Sequence, residues 1–227
     1  MNLNYRYSKL TSGAIYDAMM FDIGWEKPFV LSSKIKPLNY TPVLFGPAVT
    51  CEGRSMLMQE DTIARMNDDV RIEMFKAFYP GCVQVLASNG VEEGPALYGD
   101  VTAAIAKKFG AVGAVIDAPT RDAYGISQLG FALFCRGVHP ESALYQWVTT
   151  DFQTPIDMSG IAGDVHIDPG DYVFGDWDGV LIIPQQIVET VLDAAEKRMY
   201  KENIVRKEIE NASIKDLLQM KKDVVIW

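Results

Sequence analysis

The run from Cys82 to Cys135 constrains the fold more than any other part of the chain. It contains three short apolar segments: CVQVLA at Cys82–Ala87, GAVIDA at 113–118 and FALFC at Phe131–Cys135. A helical pattern from Asp100 to Phe109 separates the first two, and a shorter one from Asp122 to Leu129 separates the last two. Val101, Ile105 and Phe109 fall on one helical face, and Lys107 and Lys108 occupy the last turn. Gly110 then supplies the backbone freedom that ends a helix. Strand, helix, strand, helix, strand in this rhythm predicts parallel pairing through right-handed crossovers, hence an α/β fold.

Upstream, Thr11-Ser12 predict a cap for a short helix carrying Ala14, Ile15, Ala18 and Met19 on one side. Residues 27–45 read as Pro- and Ser-rich connection, followed by a strand over Ala48–Glu52. Between 55 and 79 the pattern turns helical, with Val70, Met74 and Phe78 on one stripe and Asn67-Asp68-Asp69 as its cap. Tyr79-Pro80-Gly81 stops it. Beyond Pro140 the chain becomes strand-rich, with turns at Pro169-Gly170-Asp171 and Asp178-Gly179 between alternating apolar runs. From Gln185, a stripe of Ile187, Val188, Val191, Leu192 and Ala195 predicts a helix through about Glu210, and Ser213 caps a last one. No repeat or linker divides the chain. One domain over 1–227 is expected, with 185–227 as a helical C-terminal segment.

A chain of 227 residues, 48% of them hydrophobic, can bury a sizeable core. Its net charge of −9 argues against a nucleic-acid partner, because phosphate binding takes clustered Lys and Arg. An anionic small molecule needs only one local positive site and stays open. Cys51, Cys82 and Cys135 form no CxxC pair, so neither a zinc knuckle nor a dithiol redox site is expected. The start MNLNYRYSKL lacks a signal-peptide core, and no apolar run approaches the ~20 residues that span a bilayer. A cytoplasmic protein with no membrane partner is the expectation.

The segment VIDAPTRD, Val115 to Asp122, begins as a buried strand and ends in charge. Turning the backbone explains Pro119 but not Asp117, Arg121 or Asp122. In a parallel sheet the loops leaving the strands' carboxyl ends share one edge, and binding sites gather there. The loop Ser88–Gly99 ends at Gly99-Asp100, so Asp100, Arg121 and Asp122 can converge. The helix starting at Asp100 also aims unpaired backbone N–H groups at that edge, which suits a carboxylate. The structural alternative is equally simple. Asp100 and Asp122 can be helix caps worth ~0.5–2 kcal/mol each. Arg121 can form a surface bridge worth ~0–1 kcal/mol.

Other residues read as structural. His139 and His166 sit in no ligand-spaced motif. The series Asp164, Asp168, Asp171, Asp176, Asp178 fails the spacing of a calcium loop. The four Trp show no interleaving with basic residues. Lys107 and Lys108 look solvated, which leaves no candidate for a Schiff-base Lys.

Several segments together resemble the RraA-like family, which includes class II 4-hydroxy-4-methyl-2-oxoglutarate aldolases and ribonuclease E activity regulators. They are Gly99-Asp100 followed by Arg121-Asp122, LTSGAIYDAM near the N-terminus, GPAVTCEG, FALFCRGVHP and PGDYVFGDWDGVLIIP. The resemblance implies a three-layer β/β/α swivelling-domain fold with C-terminal helices, assembled as a homotrimer or homohexamer with its site between subunits. It implies that Asp122 binds Mg2+ or Mn2+, that Arg121 contacts the keto oxygen of a pyruvate-like unit, and that Asp100 orients Arg121 or a metal-bound water. It also implies that the backbone of Gly99, Asp100, Val101, Thr102 and Ala103 binds the substrate carboxylate. Glu202 is the candidate acid contributed by a neighbouring subunit. Two positions depart from the pattern: Gly125 stands where an acid is expected after the Arg-Asp pair, and Ala118 replaces a glycine. The implied function is a metal-dependent lyase that cleaves or decarboxylates a small 2-oxo acid. The alternatives are a non-catalytic regulator that binds a ribonuclease, and a metal-assisted hydratase or hydrolase on the same site.

Overall fold

The computed structural model describes residues 3–38, 43–56, 70–214 and 217. Its centre is a run of parallel strands, β2 (Leu44–Ser55), β3 (Val83–Ala87), β4 (Gly113–Ile116) and β5 (Ala132–Cys135), paired in that order. Helix α4 (Asp100–Lys108) connects β3 to β4 and α5 (Ala123–Leu129) connects β4 to β5, as the alternating pattern predicts. Strands β3, β4 and β5 are buried on both faces, which is why they read as apolar runs. Val49, Leu86, Ile116 and Leu133 pack under the helices, while Val83, Val85, Val115 and Phe134 enter a second core on the opposite face.

The two-residue strand β1 (Lys36–Pro37) pairs with β5 at the far edge, inside the segment expected to be connection. Strand β2 extends well beyond the expected Ala48–Glu52 because it serves three partners. Its first part pairs antiparallel with β9 (Tyr172–Gly175), its middle with β3, and its end with β6 (Trp147–Phe152), across a bulge at Glu52/Gly53. Strand β10 (Val180–Ile183) closes the order β1-β5-β4-β3-β2-β9-β10. The hairpin β7 (Ile156–Met158) and β8 (Val165–Ile167) lies over the second face.

The N-terminal helices are α1 (Leu3–Tyr7) and α2 (Ser12–Asp17). Thr11 caps α2, its hydroxyl accepting from Ala14 N at 3.3 Å, and the helix runs on as a π-turn over Ala18–Ile23. Together with α6 (Val188–Asn211) they cover β9 and β10 around Tyr7, Ile15, Met19, Phe174, Val191 and Leu192. The arrangement is the expected β/β/α layering with a C-terminal helix. Residues 70–76 form α3, which places Met74 and Phe78 in the core. The cap proposed at Asn67-Asp68-Asp69 and most of the chain after Ser213 lie outside the described residues.

One helix face is turned from its expected position. Val101 and Phe109 are exposed, and α4 instead buries Ala103 and Ala106 completely. The Ala103 and Ala106 methyl groups enter the core with Ile105 partly buried beside them, and Phe109 lies at the margin, its ring 6.1 Å from that of Phe75.

Candidate active site

The site forms where the loops following β3 and β4 run side by side. Tyr98 bridges Thr120 in parallel, Arg121 N donates to Tyr98 O at 2.9 Å, and Leu97 N donates to Pro119 O at 3.1 Å. This stitching brings Gly99-Asp100 beside Arg121-Asp122 although the two pairs are far apart in sequence. Arg121 and Asp122 are each about half-exposed, with Nε 3.4 Å from Oδ2.

Neither Asp behaves as a side-chain cap. Gly99, in extended backbone, is the N-cap of α4, and Asp100 is the first helical residue. Asp122 occupies the N-cap position of α5 but makes no side-chain capping bond, because its backbone is left-handed at φ 58°. Asp tolerates that conformation better than most residues, and such backbone is concentrated where function fixes a side chain.

Instead each carboxylate rests on the other segment's glycine. A Cβ at Gly99 would lie 2.8 Å from Asp122 Oδ2, and a Cβ at Gly125 would lie 2.7 Å from Asp100 Oδ2. Glycine at 99 and 125 therefore makes room for two acids to cross between the first turns of α4 and α5. Gly125, which departs from the family pattern, is the seat of Asp100.

These groups line a cavity of about 640 Å3, within the range of small-molecule sites. Gly99, Asp100, Val101 and Thr102 contribute one wall, and Arg121 and Asp122 contribute another. Ala103 does not join them. Its N–H donates to Gly99 O at 3.0 Å and its side chain is buried, so the cradle of N–H groups ends at Thr102. Sequence reasoning missed the interior wall, formed by Arg71, Met74, Gln84 and Tyr98. The Tyr98 hydroxyl donates to Gln84 Oε1 at 2.9 Å, and burial raises the phenol well above its ordinary pKa, so it stays protonated. Arg71 adds a second cation to the lining, and nothing in the local pattern marks it.

The remaining candidates separate cleanly. His139 Nε2 is 2.8 Å from Gly94 O, and His166 sits on the hairpin between Asp157 and Asp168. Glu202 pairs with Arg206 on the same helix. The three Cys are buried and unpaired with one another. Among the described residues no cluster of three or more His, Cys, Asp or Glu is preformed for a metal. A hard cation that keeps most of its waters needs only one or two carboxylates, and Asp122 with Asp100 offers those. Among the described residues no helix is long and apolar enough to cross a membrane.

Fold and site together define a mixed α/β protein with a carboxylate-and-guanidinium cleft at the carboxyl edge of a parallel sheet. The chain belongs to the RraA-like family, whose model, described as Aldolase/RraA, matches residues 13–182. A Halalkalibacterium halodurans protein provisionally named 4-hydroxy-4-methyl-2-oxoglutarate aldolase is 34% identical over 171 residues, covering 74% of this chain and 72% of its own. An uncharacterized Pseudomonas syringae pv. tomato protein superimposes with a TM-score of 0.76 at 23% identity, covering 96% of each chain. Streptomyces coelicolor RraAS2, from the family of ribonuclease ES inhibitors, superimposes with a TM-score of 0.71 at 23% identity, covering 90% of this chain and 96% of its own. Those two likenesses speak for the fold.

Proposed function

We propose that the chain is a divalent-metal-dependent lyase that cleaves or decarboxylates a small 2-oxo acid through a pyruvate-like enolate. One observation carries the reading: Asp100 and Asp122 cross on Gly125 and Gly99, with Arg121 beside them at the wall of one cavity. The provisional name of the Halalkalibacterium halodurans relative supports the same class of reaction.

The first-turn N–H groups of Asp100, Val101 and Thr102 bind the substrate carboxylate, helped by the positive end of α4. Arg121 holds the 2-keto oxygen and stabilises the negative charge that grows there as a carbon–carbon bond breaks. In retro-aldol cleavage the substrate hydroxyl loses its proton, and the bond to the keto acid's methylene carbon breaks toward the enolate. A water positioned by Asp100 takes that proton, and the methylene carbon of the enolate regains one from it to give pyruvate. In decarboxylation the leaving fragment is carbon dioxide, no hydroxyl proton moves, and the enolate carbon takes its proton from water. Asp122, with Asp100 near it, is the holder of Mg2+ or Mn2+. When bound, the ion supplies Lewis-acid stabilisation of the same oxygen. Val101, Leu144 and Tyr145 line the cavity yet are exposed, which fits a second copy of the chain covering the mouth in a trimer or hexamer.

Coupled detection of pyruvate with Mg2+ or Mn2+, against oxaloacetate and a panel of 4-hydroxy-2-oxo acids, tests this reading. Release that EDTA abolishes is expected. A blank across the panel, with tight capture of a ribonuclease, transfers the chain to the regulator reading.

A further inference from the structure

Asp117, which follows the apolar strand β4, has a buried partner. Arg136, the first residue after β5, and Asp117, the first after β4, are only 7% and 4% exposed at their side chains. Arg136 Nε donates to Asp117 Oδ1 at 2.5 Å, and Nη2 donates to Ser159 Oγ at 2.5 Å. Ser159 Oγ in turn lies 3.4 Å from Asp117 Oδ2. Nη1 reaches Glu93 Oε1 at 3.8 Å, and Glu93 is held from outside by Lys34 Nζ at 2.7 Å. One guanidinium thus touches the loop after β3, the loop after β4 and the segment entering β8.

Backbone bonds carry this clamp to the site. Arg136 N donates to Ala118 O at 3.0 Å, Thr120 N to Gly137 O at 2.9 Å, and His139 N to Thr120 O at 3.1 Å. The Thr120 hydroxyl donates to Tyr98 O at 3.0 Å, and Arg121 follows directly. The short stretch between Asp117 and Arg121 is therefore fixed at one end by a buried ion pair and along its length by neighbouring loops.

We propose that Arg136 and Asp117 are positioning residues: their buried pair sets where Arg121 and Asp122 stand relative to Gly99-Asp100. Packing alone does not require a charge here, since a buried ion pair costs desolvation and an apolar pair of similar volume is often no worse for stability. The fork of the guanidinium does what an apolar pair does not, joining three separate loops in one fixed geometry. The catalytic consequence rests on the lyase reading; the structural consequence stands without it.

Arg136→Lys in the full-length chain tests both, because Lys keeps the charge and loses the fork. Hydrogen exchange of peptides covering 117–122 is expected to speed about tenfold or more relative to peptides of β9 and β10, as a local opening. Ser159→Ala keeps both charges and removes one link, so it covers the case in which the Lys variant fails to fold. It should speed the same peptides by a smaller factor. Unchanged exchange at 117–122 in folded Arg136→Lys, or in Ser159→Ala if the Lys variant does not fold, overturns the proposal.

Affinity for oxalate, a planar mimic of the pyruvate enolate, supplies the readout that a merely structural role would not move. Arg136→Lys is expected to weaken oxalate about tenfold when Arg121 is present and by a clearly smaller factor in Arg121→Ala, where only the placement of Asp122 is left to disturb, since residues acting as one unit are non-additive. Equal weakening in both backgrounds assigns Arg136 a general structural role and overturns the proposal. Failure of the unmodified protein to bind oxalate counts against the lyase reading instead, and the exchange result then decides the positioning role.

Discussion

At position 125 helix propensity and the site pull in opposite directions. An Ala in the interior of α5 is favoured over Gly by about 1 kcal/mol, which for a chain of this size is a rise in Tm of about 2–4 °C. Its methyl would meet Asp100 Oδ2 at 2.7 Å, Cβ at 3.0 Å and Cγ at 3.2 Å, so the carboxylate must leave its seat. Gly125→Ala is therefore expected to leave Tm within about 4 °C, the propensity gain being offset where Asp100 Cβ must give way, while lowering pyruvate release about 10–100-fold, the usual cost of moving a supporting ligand. Thermal melts and steady-state rates on one preparation check this. Full activity together with a raised Tm would show that Asp100 has no role from that seat. Asp100, Arg121 and Asp122 were legible because charges in the loops after successive parallel strands demand an explanation that turning does not supply, whereas Arg71 carries no such sign. The seat was not legible, because a glycine inside a short helix gives no sign of which side chain will lie against it. Arg136 was hidden for a related reason: an ion pair with Asp117 is a fact of three-dimensional proximity, and its two halves end separate apolar runs.

Between elements, two arginines tie the N-terminal helices to α6. Arg6 binds Glu196 and Asp193, and Arg198 binds Asp22 with Asp17 nearby. The hydrogen bonds from Arg198 hold Asp22 below its ordinary pKa of 3.8, and those from Arg6 hold Glu196 below 4.5. Folded values below the unfolded ones mean stability that is full above those ordinary pKa values and lost as pH falls through the lower folded ones. Acid below about pH 4 is thus expected to loosen residues 3–23 from α6 before the central sheet opens. Amide exchange across a pH series reads it directly. Simultaneous loss of protection in β3 and β4 would contradict the expectation. The helices α2, α5 and α6 and all four parallel strands followed from apolar periodicity and turn residues. The buried face of α4 did not, since pattern alone favours the large residues Val101 and Phe109, whereas the face turned to the core carries Ala103 and Ala106.

Across the whole molecule, the pairing of Leu44–Pro47 with Tyr172–Gly175 brings the later, strand-rich part of the chain back onto the start of β2. No local period encodes a contact so distant in sequence, and Gly46-Pro47 disguises the strand as connection. The same closure leaves the carboxyl ends of β3 and β4 open at one edge, where the cleft lies. The proposed lyase depends on two neighbouring crossover loops building one metal-assisted site around Arg121, Asp122 and Asp100. Its most direct test is pyruvate release from oxaloacetate and 4-hydroxy-2-oxo acids by the unmodified chain, Arg121→Ala and Asp122→Ala, with Mn2+ and with EDTA. The expected result is release by the unmodified chain with Mn2+ and a loss of at least about 100-fold in either variant or under chelation, as follows from removing transition-state charge stabilisation. Release that persists in EDTA, or that survives both substitutions, would contradict it.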